Sequence, residues 1–345
     1  MALISTKHLT QAQFQRLEPA AVQHALRALL RDRVIAQRET DEYHDKESYR
    51  PLIDLALREA ALETRRNNKL THVIEALATA GVPALIFKGT ALAHSHYAPP
   101  ELRERDDTAL AVDQLRQQVA GNVLELLGFR PMVANEGSLI MRQRLYRRRD
   151  SDGVLHNIDL HWAISNSART ARLTVRSLLA RSVALPALSS HARMPNSIDA
   201  LLIACAHLDA NHVDKVGLVW LYDLQSLIEN MPIEMRINAS QRALACGLTP
   251  ASGWVMAALT RTFGSSLLGF EPLTARGDIA PPSGRRLAQW QRELLALRDN
   301  RTRMTWLWQQ MIPDRRHLRA SAGTATSLWR LYLARALRGV SHLSR

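Results

Sequence analysis

The sequence predicts an α+β protein, with a small sheet-bearing core between residues 84 and 166 wrapped by helices on both sequence flanks. Three observations predict it. Apolar residues recur at helical spacing up to residue 79. Short apolar runs bounded by Gly and Pro, with one Asp-Gly turn signal, replace that pattern between 84 and 162. Beyond Asn166 the helical spacing returns and persists almost to the end.

Element by element, residues 20–38 carry Val22, Ala25, Leu26, Leu29 and Leu30 on one helical face, and a polar stretch at 39–47 interrupts them. Pro51 opens a second helix with Leu52, Leu55, Ala56 and Ala60 on one side. A third helix is expected over 68–79, closed by Gly81 and Pro83. Residues 84–87 form a short strand that runs into Lys88-Gly89-Thr90 and a helix over 91–96, broken by Pro99 and Pro100. A second strand spans 109–112, and a helix follows to Leu127, ended by Gly128. Residues 139–162 read as a β-hairpin turned around Ser151-Asp152-Gly153. The clearest later helices are 198–207, 219–228, 241–248, 285–297 and 327–338, with a Pro-bearing loop at 270–284.

A hydrophobic fraction of 46% and a charged fraction of 22% suit a globular protein and argue against a disordered chain. No apolar run approaches the roughly 20 residues that cross a bilayer. The first sixteen residues lack a signal peptide's apolar centre and cleavage site. The two cysteines, Cys205 and Cys246, lie in apolar helical stretches without metal-binding spacing, which predicts reduced core thiols. These features predict a cytoplasmic protein with no membrane insertion. The net charge of +13 comes chiefly from Arg, which suits a phosphate-bearing partner or a generally Arg-rich composition.

Three segments carry the chemistry. In Leu85-Ile86-Phe87-Lys88-Gly89-Thr90 a strand ends in Gly and a hydroxyl residue at the start of a helix, so free backbone N–H groups and the helix dipole can hold a phosphate. In Asp106-Asp107-Thr108-Ala109 an acidic residue heads an apolar strand, and alternation sets Asp107 and Ala109 on one face, with Asp106 off it. In His156-Asn157-Ile158-Asp159-Leu160-His161-Trp162 the same alternation puts Asn157, Asp159 and His161 together. A carboxylate on a sheet face needs a cation, a donor or open water. Arg142, Arg144, Arg147, Arg148 and Arg149 decorate one hairpin strand, either as a solvated face or as a channel for triphosphate or nucleic acid. Further along, Asp223 stands among Trp220, Leu221, Tyr222 and Leu224 and needs a partner, while His207 reads as a hydrogen-bonded core histidine. Trp306 and Trp308, with Met304 and Met311, read as helix core.

Taken together, Phe87-Lys88-Gly89-Thr90-Ala91-Leu92-Ala93, Tyr97-Ala98-Pro99-Pro100-Glu101-Leu102-Arg103, Asp107 and Ile158-Asp159-Leu160-His161-Trp162 resemble the uncharacterised bacterial nucleotidyltransferase family. Weaker echoes lie at 201–207 and 218–223, and in Ile312-Pro313 with Leu318-Arg319. The resemblance implies a polymerase-β-like core over 71–166, preceded by a helical segment at 1–70 and followed by a helical domain at 167–345. It implies Mg²⁺ and an NTP as co-substrate, with transfer of the NMP moiety to a hydroxyl-type acceptor that is a small molecule, peptide or RNA. By motif position Asp107 and Asp159 are metal ligands and catalytic residues, Asp159 also serving as base for the acceptor hydroxyl. Lys88, Gly89, Thr90, Arg103 and His161 are candidates for holding the nucleotide. The carboxylate expected to bridge two ions falls on Ala109, whose methyl group cannot do so. The chain is therefore expected to be an inactivated variant or a degenerate copy. Two rivals remain, a catalytically dead nucleotide- or RNA-binding protein and a toxin-like enzyme that adds nucleotides to RNA.

Overall fold

The computed structural model describes Arg16 and residues 19–21, 26–38, 50–132, 139–213, 216–274 and 286–312. The helix expected at 327–338, the arginines beyond 312 and most of the 270–284 loop lie outside the described residues. Helix α1 spans Arg27–Arg38 and α2 spans Arg50–Thr79. Strand β1 (Ala84–Ile86) leads into α3 (Lys88–His96), β2 (Thr108–Val112) and α4 (Gln117–Leu126). Strands β3 (Arg130–Pro131), β4 (Gln143–Arg149) and β5 (Leu155–His161) follow, then α5 (Val175–Ala180), β6 (Val183–Ala184) and β7 (Arg193–Met194). The remaining helices are α6 (Ser197–Asn211), α7 (Leu218–Glu229), α8 (Ile233–Cys246), α9 (Thr249–Phe263), α10 (Glu271–Thr274), α11 (Arg286–Ala296) and α12 (Asn300–Met311).

The expected α+β architecture is the one found, a mixed sheet of seven strands in the order β3-β4-β5-β2-β1-β7-β6. Strand β2 is central and runs parallel to β5 and antiparallel to β1. All five of its residues are buried, because helices cover both faces of the sheet. Alternation divides those faces. Leu85, Phe87, Ala109 and Ala111 join the core built by α6 to α9. Ile86, Leu110, Val112, Ile158 and Leu160 join the core under α2 and α4. The hairpin turn falls where Asp-Gly placed it, with Gly153 at φ +87° and Asp150 N–H bonded to the Val154 carbonyl.

Several expectations need correction. The two helices expected at 51 onward and 68–79 are one 30-residue helix, α2. Its polar middle contains no Pro or Gly to stop it, and one side of that stretch faces inward, where Glu63 meets Arg105 at 2.7 Å and Arg66 donates to the Arg105 carbonyl at 2.9 Å. The helix expected over 241–248 is the end of the longer α8, closed by Gly247 at φ +73°. Two-residue strands β6 and β7 extend the sheet beyond residue 166, β7 pairing parallel to β1. On α12 only Trp306 is core, edge-on to Trp290 at 5.6 Å, while Met304, Trp308 and Met311 are exposed. Cys205 and Cys246 are buried free thiols, as the sequence indicates.

The inward face of α2 also fixes a titration. His94 lies 3.0 Å from Asn67 Oδ1, and burial, together with the charge of Arg105, pushes its pKa down to about 4. The folded chain therefore declines a proton that the unfolded chain accepts below the ordinary value of 6.5. Stability is expected to fall as pH drops from about 6.5 toward about 4. A His94→Gln variant should show a flatter decline in thermal midpoint over that window. An unchanged slope would assign the acid sensitivity to other groups.

Candidate functional site

The site begins where β1 gives way to α3. Phe87 is extended, and its N–H bonds the Ala109 carbonyl at 3.2 Å, tying the turn to β2. Lys88 then takes φ +56°, a left-handed conformation that costs a non-glycine residue on the order of 1 kcal/mol. That reversal starts α3, so the first-turn N–H groups at Lys88, Gly89 and Thr90 lack intrahelical acceptors and lie at the positive end of the dipole. A cavity of about 450 Å³ opens over them, bounded also by Arg103, Asp107, Ala109 and helices α6 and α7.

Gly89 lies close against a neighbour inside the protein. A Cβ there would meet the Arg103 guanidinium at 3.2–3.5 Å. Arg103 is buried and clamped, its Nε donating to Asp223 Oδ1 at 2.8 Å and its Nη2 to Oδ2 at 2.7 Å. Tyr97 donates its hydroxyl proton to the same Oδ1 at 2.7 Å. Burial and the Asp223 charge hold that phenol far above its ordinary pKa, so it stays a donor. Thr90 is buried too, with its hydroxyl 3.5 Å from the Asp107 carbonyl.

Across the sheet, the parallel pairing of β2 and β5 sets Ala109 opposite Asp159 and Ala111 opposite His161. Asp159 is buried; its Oδ2 accepts from Gln143 Nε2 at 2.8 Å, and among the described residues its Oδ1 has no hydrogen-bond partner. Contacts with His161 and Lys88 outweigh the effect of burial and hold its carboxyl below the usual range. His161 Nε2 lies 3.0 Å from Asp159 Oδ2. Burial and the charge of Lys88 push the His161 pKa down against the pull of Asp159, and the ring packs edge-on to Phe87 at 5.0 Å. Asp107 is exposed on the shared rim of the first cavity and a second one of about 420 Å³. Asp159, Gln143, Met132 and Met141 line that second cavity.

The structure thus brings Lys88, Gly89, Arg103, Asp107 and Ala109 to one cavity, with Asp159 beside them. His161 borders neither cavity. Lys88 is largely buried, its Nζ 5.0 Å from the Phe87 ring centroid; burial lowers its pKa, while Asp159 and Asp107 oppose that.

A model of the uncharacterised nucleotidyltransferase family matches residues 10–264, well over half of the 345. The chain belongs to that family. Among solved structures, the antibiotic-resistance factor ANT(2″)-Ia in solution is similar at 14% identity and a TM-score of 0.37, over 54% of this chain and 95% of that one. At that distance the likeness says nothing about individual residues. A comparison with curated proteins found no match.

For a nucleotidyltransferase, the carboxylate set is short. Among the described residues no group of three or more His, Cys, Asp or Glu side chains is placed to hold a metal ion. Sequence reasoning left Asp223 without its partner and missed Tyr97 and Gln143 as the supports of Arg103 and Asp159. Several of the hairpin arginines are engaged within the fold. Arg142 donates to the Ser165 and Ser167 carbonyls, Arg148 to Asp150 and Leu127, and Arg149 to the Gly153 carbonyl. No helix among the described residues is long and apolar enough to cross a membrane.

Proposed function

We propose that the chain binds an NTP with Mg²⁺ in the cavity above Lys88, Gly89 and Thr90, and that Ala109 leaves it unable to transfer the nucleotidyl group efficiently. The observation that carries the reading is the buried Asp159, whose free Oδ1 stands in register with an alanine. A buried carboxylate oxygen without a donor is costly unless a cation or substrate proton meets it. Asp107 and Asp159 suit one Mg²⁺ ion, which is commonly held by one or two carboxylates plus substrate phosphates. They do not suit a bridged pair. When bound, the ion would neutralise triphosphate charge.

The protein's own groups supply the rest. The α3 N-terminus and Lys88 receive the phosphates. Arg103, fixed by Asp223 and Tyr97, borders the same space. Asp159, held ionised and oriented by Gln143, stands toward the second cavity, from which an acceptor hydroxyl would approach to give up its proton.

Calorimetric titration with NTPs tests the reading. We expect binding that strengthens with Mg²⁺, an Asp159→Asn variant that loses the Mg²⁺-dependent part, and a Lys88→Met variant weakened by about tenfold, the loss of one charge-assisted contact. Absence of NTP binding at millimolar concentrations, with or without Mg²⁺, would remove the proposal.

A further inference from the structure

The cavity over α3 carries two kinds of lining. Lys88, Gly89, Arg103 and Asp107 are polar or charged. Ile203, Leu208 and Val219, from α6 and α7, are apolar and are accompanied by three aromatic rings. His212 stacks on Trp220 with centroids 3.8 Å apart and planes 32° apart. His207 stands edge-on to both, at 4.8 Å from His212 and 6.3 Å from Trp220. Among the described residues that line this cavity, these are the only aromatic side chains.

We infer that Trp220 and His212, with His207 beside them, form a stacking platform for the nucleobase of the bound nucleotide. The inference rests on the nucleotide-binding reading above and deepens it. A triphosphate uses N–H groups and cations and gains nothing from an apolar aromatic wall. A planar heteroaromatic ring gains from both the wall and the π-faces. Both histidines are held neutral by burial and by the nearby charge of Lys88, so they serve as rings rather than as further phosphate cations. Asn211 Nδ2 lies 3.2 Å from His207 Nδ1, which fixes that ring's orientation. Among the described residues the second cavity offers a base no comparable surface, since its lining combines Asp106, Asp107 and Asp159 with Met and Leu and contains no aromatic ring.

The test separates base from phosphate by measuring three probes on the full chain: ATP, inorganic tripolyphosphate and adenosine. Trp220→Ala and His212→Ala should each weaken ATP by about tenfold, within the range for one stacked base, and leave tripolyphosphate unchanged. Trp220→Phe should restore most of the ATP affinity. Adenosine should protect Trp220 ring signals in NMR spectra of the parent. The tripolyphosphate arm also controls for folding. Equal losses of ATP and tripolyphosphate, or unchanged ATP affinity in both alanine variants, would overturn the platform while leaving the phosphate cradle standing. A parent that binds neither ATP nor tripolyphosphate would overturn both readings.

Discussion

Ala109→Asp is expected to create Mg²⁺-dependent NTP turnover, at least about a thousandfold above the parent, a barrier change of roughly 4 kcal/mol. Residue 109 is the register partner of Asp159 and lines the same cavity as Asp107, so a carboxylate there would complete the set that the proposed two-ion chemistry needs. The same change should weaken the protein when metal is chelated. The methyl group of Ala109 is buried, and an aspartate in its place adds a like charge directly across from Asp159. Lys88 offsets only part of that charge. We expect a loss of roughly 3 kcal/mol or more in chelator, since an unpaired buried charge is among the costliest single changes, and its recovery with Mg²⁺ and NTP. Affinity for NTP should change little, because the α3 cradle is untouched. Asp159→Asn in this background should abolish turnover again. Radiolabelled NTP incubated with broad acceptor pools is the assay, and melting curves with and without Mg²⁺ are the independent readout. Ala109→Asp protein that gains thermal stability in chelator and turns over no NTP would refute the assignment of this position.

Period-two alternation is a local property, so the faces of β2 and β5 could be read from the sequence. It placed Asp107 and Ala109 on one face and Asp159 with His161 on another, and the parallel register then set the two faces side by side. Alternation does not report depth. It did not separate exposed Asp107 from His161, which is 1% exposed and lines neither cavity. Contacts between distant segments carry no local signal. Arg103 and Asp223 are 120 residues apart in the chain, and neither neighbourhood hints at the other. The close neighbour of Gly89 was hidden for the same reason, since the atoms above it belong to that clamped guanidinium. The polar middle of α2 interrupts the apolar periodicity because its buried partner, Arg105, comes later in the sequence. Strands β6 and β7 are two residues each, too short for any periodicity to show.

The clamp on Arg103 should prove the costliest single contact to break. Asp223→Ala would strip a buried guanidinium of both carboxylate oxygens and leave the Tyr97 hydroxyl without its acceptor. Removing one partner of a buried ion pair typically costs about 3–5 kcal/mol, most of it the penalty of the charge left behind. Pairing Asp223→Leu with Arg103→Met removes both charges and keeps apolar volume, so the double variant should be markedly more stable than Asp223→Ala. Function should separate the two differently. In both, the surface above Gly89 loses its fixed guanidinium, so both should bind NTP more weakly than the parent even where the double variant recovers its stability. Urea unfolding reports the first comparison and NTP titration the second. If Asp223→Ala costs under 1 kcal/mol and leaves NTP affinity intact, then Arg103 neither carries a buried charge that needs Asp223 nor contributes to the cradle, and the support of this cavity must be sought in Lys88 and the α3 N-terminus alone.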